Sequence, residues 1–222
     1  LCHFVEAYQD VATLTLGELW AVPIMLRLAL IENLRRVAAR VADDRMQRDL
    51  ANTWADQMTE IAERNPSGLI LLVADMARSN PPMTSAFVAE LSRRLQGQSS
   101  SLTLALSWLT HKLAESGLTI EQQIQSEIGQ QAADQVSIAN SIGSLRFLGT
   151  MDWQEFVETM SVVEQTLRLD PAGTYGLMDF ATRDSYRHAI ERIARRSARS
   201  EVEVAEMVVQ LATSLGVPLR QV

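Results

Sequence analysis

The sequence predicts an all-α protein, an irregular multi-helix bundle of about ten helices with no sheet. Three observations lead there. Apolar residues recur at steps of three and four, and no segment alternates with a period of two. Helix-start signatures recur along the chain: Thr15-x-x-Glu18, Asp152-x-x-Glu155 and Ser200-x-x-Glu203 each place a short polar side chain three positions before a glutamate. That spacing lets the two side chains satisfy orphan amides of the first turn reciprocally. Breakers stand between the periodic stretches: Asn65-Pro66-Ser67-Gly68, Asn80-Pro81-Pro82, Gly97 to Ser101, Ser116-Gly117 and Asp170 to Gly176.

Taken in order, these signals predict helices over 2–10, 16–42, 45–64, 68–79, 83–96, 101–115, 119–149, 153–168, 180–198 and 201–215. Pro23 falls about two turns into the second of these, where it removes one backbone bond and should bend the helix. The helix after Asp152 carries a clear stripe of Trp153, Phe156, Val157, Met160, Val163 and Leu167, which should face a core. Trp20, Trp54 and Trp108 also sit within apolar periodicity. Short connections favour sequential antiparallel packing in a single domain over 1–222, with 65–68 as a possible seam. The Trp and Pro positions show no fixed period, which excludes a helical-repeat array.

Composition narrows the function classes. A chain of 222 residues, 47% hydrophobic and 21% charged, can bury a proper core. A net charge of −7 argues against nucleic acid as a partner, since phosphate binding calls for a basic face. Among 20 basic residues only Lys112 is not arginine, which GC-rich coding explains more simply than selection for forked hydrogen bonding. The single Cys2 can form no internal disulfide. The longest apolar tract, Leu19 to Ile31, is interrupted by Arg27 and falls short of the roughly 20 residues of a membrane span. The chain begins at Leu1 with an amphipathic pattern already running by Phe4, as expected of a segment of a longer polypeptide.

The most distinctive stretch runs from Leu169 to Arg187, Leu-Asp-Pro-Ala-Gly-Thr-Tyr-Gly-Leu-Met-Asp-Phe-Ala-Thr-Arg-Asp-Ser-Tyr-Arg. A Pro/Gly turn leads there into a helix start dense with Asp, Arg and Tyr. This stretch, together with Thr15 to Arg36 and Ser141 to Glu164, resembles a segment of the cyclic β-1,2-glucan synthetases. These are very large membrane-embedded bacterial enzymes that polymerise and cyclise glucose from UDP-glucose. The resemblance covers most of the chain. It implies a cytoplasmic helical region preceding the membrane spans and the glucosyltransferase domain, with those spans outside this fragment. Its implied partners are the other domains of the parent polypeptide and the membrane surface.

The residues of catalysis are a separate matter. Sugar-nucleotide transferases of that type carry an Asp-x-Asp pair and a Gln-x-x-Arg-Trp motif. No two aspartates here are separated by one residue, and no tryptophan follows an arginine. The resemblance thus implies an enzyme class for the parent and carries over no catalytic residue; the fragment alone should be inactive. There is no phosphate-cradling glycine loop and no metal-spaced companion for Cys2-His3, so no cofactor or metal is expected. Asp184 and His188, four apart, read as a solvated helical pair.

Two features stand out as a candidate interaction surface. Arg183, Arg187, Glu191, Arg195 and Arg199 follow one another at four-residue steps, with Arg192 and Arg196 alongside. The row reads as a solvated face whose charge suits a helix C-terminus, on which charge reversal should leave the fold intact. The alternative is contact with another domain or with anionic lipid headgroups. Tyr175 in the Pro/Gly turn reads as the cap of a core edge with its hydroxyl on nearby backbone, the alternative being sugar stacking. The functional expectation is a non-catalytic, structural region of the synthetase. A stand-alone helical adaptor binding a partner protein is the runner-up, and an independent small enzyme the third reading.

Overall fold

The computed structural model describes residues 1–219, and among them ten α-helices and three 3-10 turns appear without any strand. The helices are α1 (Cys2–Gln9), α2 (Leu16–Arg64), α3 (Leu69–Ser79), α4 (Ser85–Leu95), α5 (Thr103–Ala114), α6 (Ile120–Thr150), α7 (Trp153–Met160), α8 (Val162–Leu167), α9 (Phe180–Ala194) and α10 (Glu201–Leu215). The all-helical expectation therefore holds. No helix among the described residues is long and apolar enough to cross a membrane.

The chain divides into two compact units. One comprises Leu30–Ser144; the other joins Leu1–Ala29 to the chain from Leu145 onward. The turn at 65–68 lies inside the first of these as a 3-10 turn between α2 and α3.

The core of the 30–144 unit follows directly from helical spacing. Ala51, Ala55, Met58 and Ala62 of α2 meet Leu69, Val73 and Met76 of α3, Phe87, Leu91 and Leu95 of α4, and Ala105, Leu109 and Leu113 of α5. Steps of three and four keep each set on one face. The small alanines of α2 leave room for the large side chains opposite. Trp54 and Trp108 pack on this cluster half-buried rather than inside it.

Two expected boundaries differ. The break placed at 42–45 is absent, and α2 runs 49 residues without interruption, through Pro23 as well. Neither Gly nor Pro stands at 42–45, and polar contacts to α6 hold the helix on both sides of that point. Asn33 donates to Ser137 and Ser141 hydroxyls at 2.9 and 3.0 Å, Arg40 pairs with Asp134, and Arg48 pairs with Glu127 at 2.8 Å. Partners descend along α6 as they ascend along α2, so the pair is antiparallel. Asp134, Glu127 and Ser141 are all buried, which makes this seam polar and fixes its register.

The second difference lies at Ser161, where the helix expected over 153–168 splits into α7 and α8. Ser161 is extended, with ψ 114°, and its hydroxyl accepts the Glu164 amide. Ser161-Val162-Val163-Glu164 has the same spacing as the start signals above, hidden inside an apolar stripe.

In the other unit α7 packs on α1, and α10 packs on α8 and α9. Val5, Leu16, Leu19, Phe156, Val157 and Met160 form one cluster; Val163, Leu167, Tyr175, Ile190, Val204 and Ala205 anchor a second. Polar ties hold helix ends in place. Leu148, in the last turn of α6, offers a carbonyl to both Arg27 (3.0 Å) and the Trp153 indole (2.9 Å). Trp153 is accordingly half-buried, edge-on to Phe156 at 5.3 Å. Glu201 accepts the Leu16 amide at 2.8 Å, placing a carboxylate at the start of α2.

Of the three predicted start signals, Thr15–Glu18 and Ser200–Glu203 close reciprocally. Asp152 caps one way, accepting from Gln154 and Glu155. Truncating Phe156 to Ala should lower stability by about 3–5 kcal/mol, the usual range for a buried aromatic. Chemical denaturation measures it, and a loss below about 1 kcal/mol would mean the α7 stripe is not packed as described.

Candidate functional site

The segment Leu169–Arg187 builds a buried charge cluster. It begins with Asp170, which closes the turn by accepting from the Ala172, Thr174 and Tyr175 amides at 3.3, 2.9 and 3.0 Å and from the Thr174 hydroxyl at 2.8 Å. Gly173 takes a positive φ of 63°, where a side chain would be strained. The turn delivers Tyr175 into the core, edge-on to Tyr186. Asp179 then caps α9 by accepting the Thr182 amide.

At the centre stands Glu164, fully buried on α8. Its carboxylate accepts from the Tyr175 hydroxyl at 2.7 Å, Arg187 at 2.6 Å and Arg168 at 2.9 Å. Glu158, one helix earlier, takes a forked contact from Arg183 at 2.6 and 2.9 Å and lies 3.3 Å from Arg187. Arg187 also donates to Asp184 at 3.0 Å. Three carboxylates (Glu158, Glu164, Asp184) thus face three guanidinium groups (Arg168, Arg183, Arg187), and the cluster is neutral as a whole. Arg187 Nε has no acceptor, and its guanidinium lies 4.9 Å from the centre of the Phe180 ring, a cation–π arrangement.

The electrostatics match the geometry. Burial, reinforced by the hydrogen bond to the Glu164 carboxylate, pushes the Tyr175 hydroxyl far above its ordinary value. Burial alone would lower Arg187, but its bonds to Glu164 and Asp184 raise it. At Asp170 burial also opposes ionisation, yet the Thr174 hydroxyl and the three amides hold the carboxyl below its ordinary range.

The structure separates the expected surface residues. Arg187 and Tyr175 are buried and Arg183 is nearly so; only Arg195 and Arg199 remain exposed. The solvated arginine row is corrected on this point. Four-residue steps leave it open which way a stripe faces, and Glu158 and Glu164 draw its first half inward. Helix α9 ends at Ala194, so Arg199 lies beyond the stripe altogether, while Arg195 pairs with Glu191 at 2.6 Å. Tyr175 also bonds a carboxylate rather than nearby backbone. Local spacing assigns Glu158 and Glu164 no role, because the Ser161 cap that turns α8 inward lies hidden within the apolar stripe. Asp184 and His188 approach to 3.4 Å, as their spacing predicts.

As chemistry, the cluster is closed: every carboxylate is already engaged by a cation. Among the described residues no three His, Cys, Asp or Glu side chains are arranged so that they could hold a metal ion.

Along nearly its whole length this helical chain is homologous to a region of a cyclic β-(1,2)-glucan synthase, as the resemblance read from its residues implied. It is 34% identical over 223 residues, 98% of the chain, to the cyclic beta-(1,2)-glucan synthase NdvB of Rhizobium meliloti (strain 1021). The chain spans 8% of that protein's length. No family model matches the sequence, and no solved structure matches it.

Two outcomes follow from the cluster. Arg187→Ala strands Glu164 in the core and should cost about 3–5 kcal/mol, whereas Arg195→Ala, on a side chain 75% exposed, should change stability by no more than about 0.5 kcal/mol. Denaturant titration of both variants compares them. Asp170 gives the acid limb: its depressed value contributes stability that is fully present above the ordinary aspartate pKa of about 3.9 and is lost as pH falls through the folded value. Asp170→Asn should therefore flatten the stability profile below about pH 4, read by thermal melts across pH.

Proposed function

We propose that this chain is a non-catalytic helical region of a cyclic β-(1,2)-glucan synthase, a glycosyltransferase making cyclic glucan from UDP-glucose. Its job on this reading is structural: it packs on the other domains of the polypeptide and orients them, on the cytoplasmic side of the inner membrane. The observation that carries the reading is the closed cluster around Glu164. The ionisable groups of this cluster neutralise one another, leaving none of the cluster's own carboxylates free to bind metal or activate an acceptor hydroxyl. Homology to a small part of a much longer synthase supports this role over that of a stand-alone adaptor.

The purified segment should neither transfer glucose from UDP-glucose nor hydrolyse it. Deleting the segment from the full-length synthase should reduce glucan output or membrane assembly. Turnover by the isolated segment would overturn the non-catalytic reading. Undiminished output from the deleted enzyme would overturn the structural one.

A further inference from the structure

Helices α2, α4 and α6 of the 30–144 unit enclose a cleft of about 370 Å³, within the size range of small-molecule sites. Glu127 of α6, 6% exposed, is the buried carboxylate of its lining. Arg48 and Gln131 donate to its Oε1, each at 2.8 Å, and the Ser85 hydroxyl donates to Oε2 at 3.0 Å. On α4, Arg93 forks onto Glu90, its Nε donating at 3.0 Å. The same cleft is lined by apolar surface, with Ile124 half-buried and Ile128 55% exposed.

This lining selects a ligand by charge and by hydrogen bonding. Glu127 and Glu90 each face an arginine, so these four charges cancel, and an ion entering the cleft would have to compete with a standing pair. A wholly apolar ligand would strip water from Arg48 and Gln131 and put nothing in its place. The hydrogen-bonding capacity left over is mixed in kind. Among the described residues nothing accepts from Arg48 Nε or Nη2, and nothing donates to the side-chain oxygens of Gln96 and Gln131. Hydroxyl groups answer both needs, because each donates and accepts. Ile124 and Ile128 offer contact to the aliphatic C–H groups of the same ligand. A neutral molecule with hydroxyl edges and C–H faces is a carbohydrate.

We infer that this cleft binds a neutral oligosaccharide, a stretch of the glucan chain that the proposed synthase makes. The inference rests on that reading and deepens it: the helical region holds sugar as well as orienting its neighbours.

The test uses the full-length synthase without UDP-glucose, so that no new glucan forms, and a short β-(1,2)-linked gluco-oligosaccharide carrying a photoreactive diazirine. Irradiation and peptide mapping should place the label within 85–96 or 121–131, and unlabelled oligosaccharide should compete it away. Ala89→Trp, which fills the cleft, should abolish this label. Gln96→Ala with Gln131→Ala, at two exposed positions, should weaken it several-fold while the thermal melt stays unchanged. No label in those peptides, label unchanged in both variants, or equal competition by an anionic uronic-acid oligosaccharide each overturn the proposal. Deleting the segment separates it from the reading on which it rests. Labelling in the intact enzyme with undiminished glucan output from the deleted one keeps the cleft and removes the structural role. Absent labelling with output lost on deletion removes the cleft and keeps the role.

Discussion

Glu164 sits where no water reaches it, and a carboxylate in that position is tolerable only if several donors meet it at once. Arg187, Arg168 and Tyr175 do so, and three local devices bring them and Glu164 together, Arg168 lying one turn beyond Glu164 at the end of α8. The break at Ser161 turns α8 so that Glu164 faces inward. The Asp170 turn carries Tyr175 into the core. The cap at Asp179 starts α9 where Arg183 and Arg187 fall toward α7 and α8. The most distinctive stretch of the sequence is thus the part that assembles this cluster. Removing any one device would leave a buried charge or hydroxyl without its counterpart.

The same economy governs the remainder. Long-range polar contacts in this chain go to groups that would otherwise be orphans: the Leu148 carbonyl at the end of α6, the Leu16 amide at the start of α2, and the Met160 carbonyl that accepts from Gln9 at the end of α7. The α2–α6 seam uses Asp134 and Glu127 in the same manner, each neutralised by an arginine of the opposite helix. Partial burial, with the Glu127 carboxylate nearby, raises the Asp44 carboxyl above its ordinary value. Such contacts specify one arrangement of helices more than they add net stability.

Much of this was legible in the sequence. The periodicity predicts the helical class, and Thr15–Glu18 and Ser200–Glu203 close as their spacing predicts, whereas Trp54 and Trp108, which fall within the same periodicity, pack half-buried against the 30–144 core rather than in it. The misread places share a cause. The stretch 42–45 reads as a break because the contacts that carry α2 through it, Arg40 with Asp134 and Arg48 with Glu127, reach a distant helix, α6. Ser161 looked like helix interior because the apolar stripe continues past it. The arginine row looked solvated because local spacing carries no information about which face a distant carboxylate will claim. In each case a long-range ion pair or a single cap decided the structure, and neither is visible in a local window.

The charges around Glu164 serve the architecture and act as a unit. A double-mutant cycle measures that directly, comparing Glu164→Gln, Arg187→Gln and the double variant by equilibrium denaturation. The two singles should each be strongly destabilising and the double far less so than their sum, giving a coupling energy within the roughly 0.5–3 kcal/mol seen for contacting pairs and near its upper end. Additive losses would mean that Glu164 and Arg187 do not depend on each other, and would contradict the central claim.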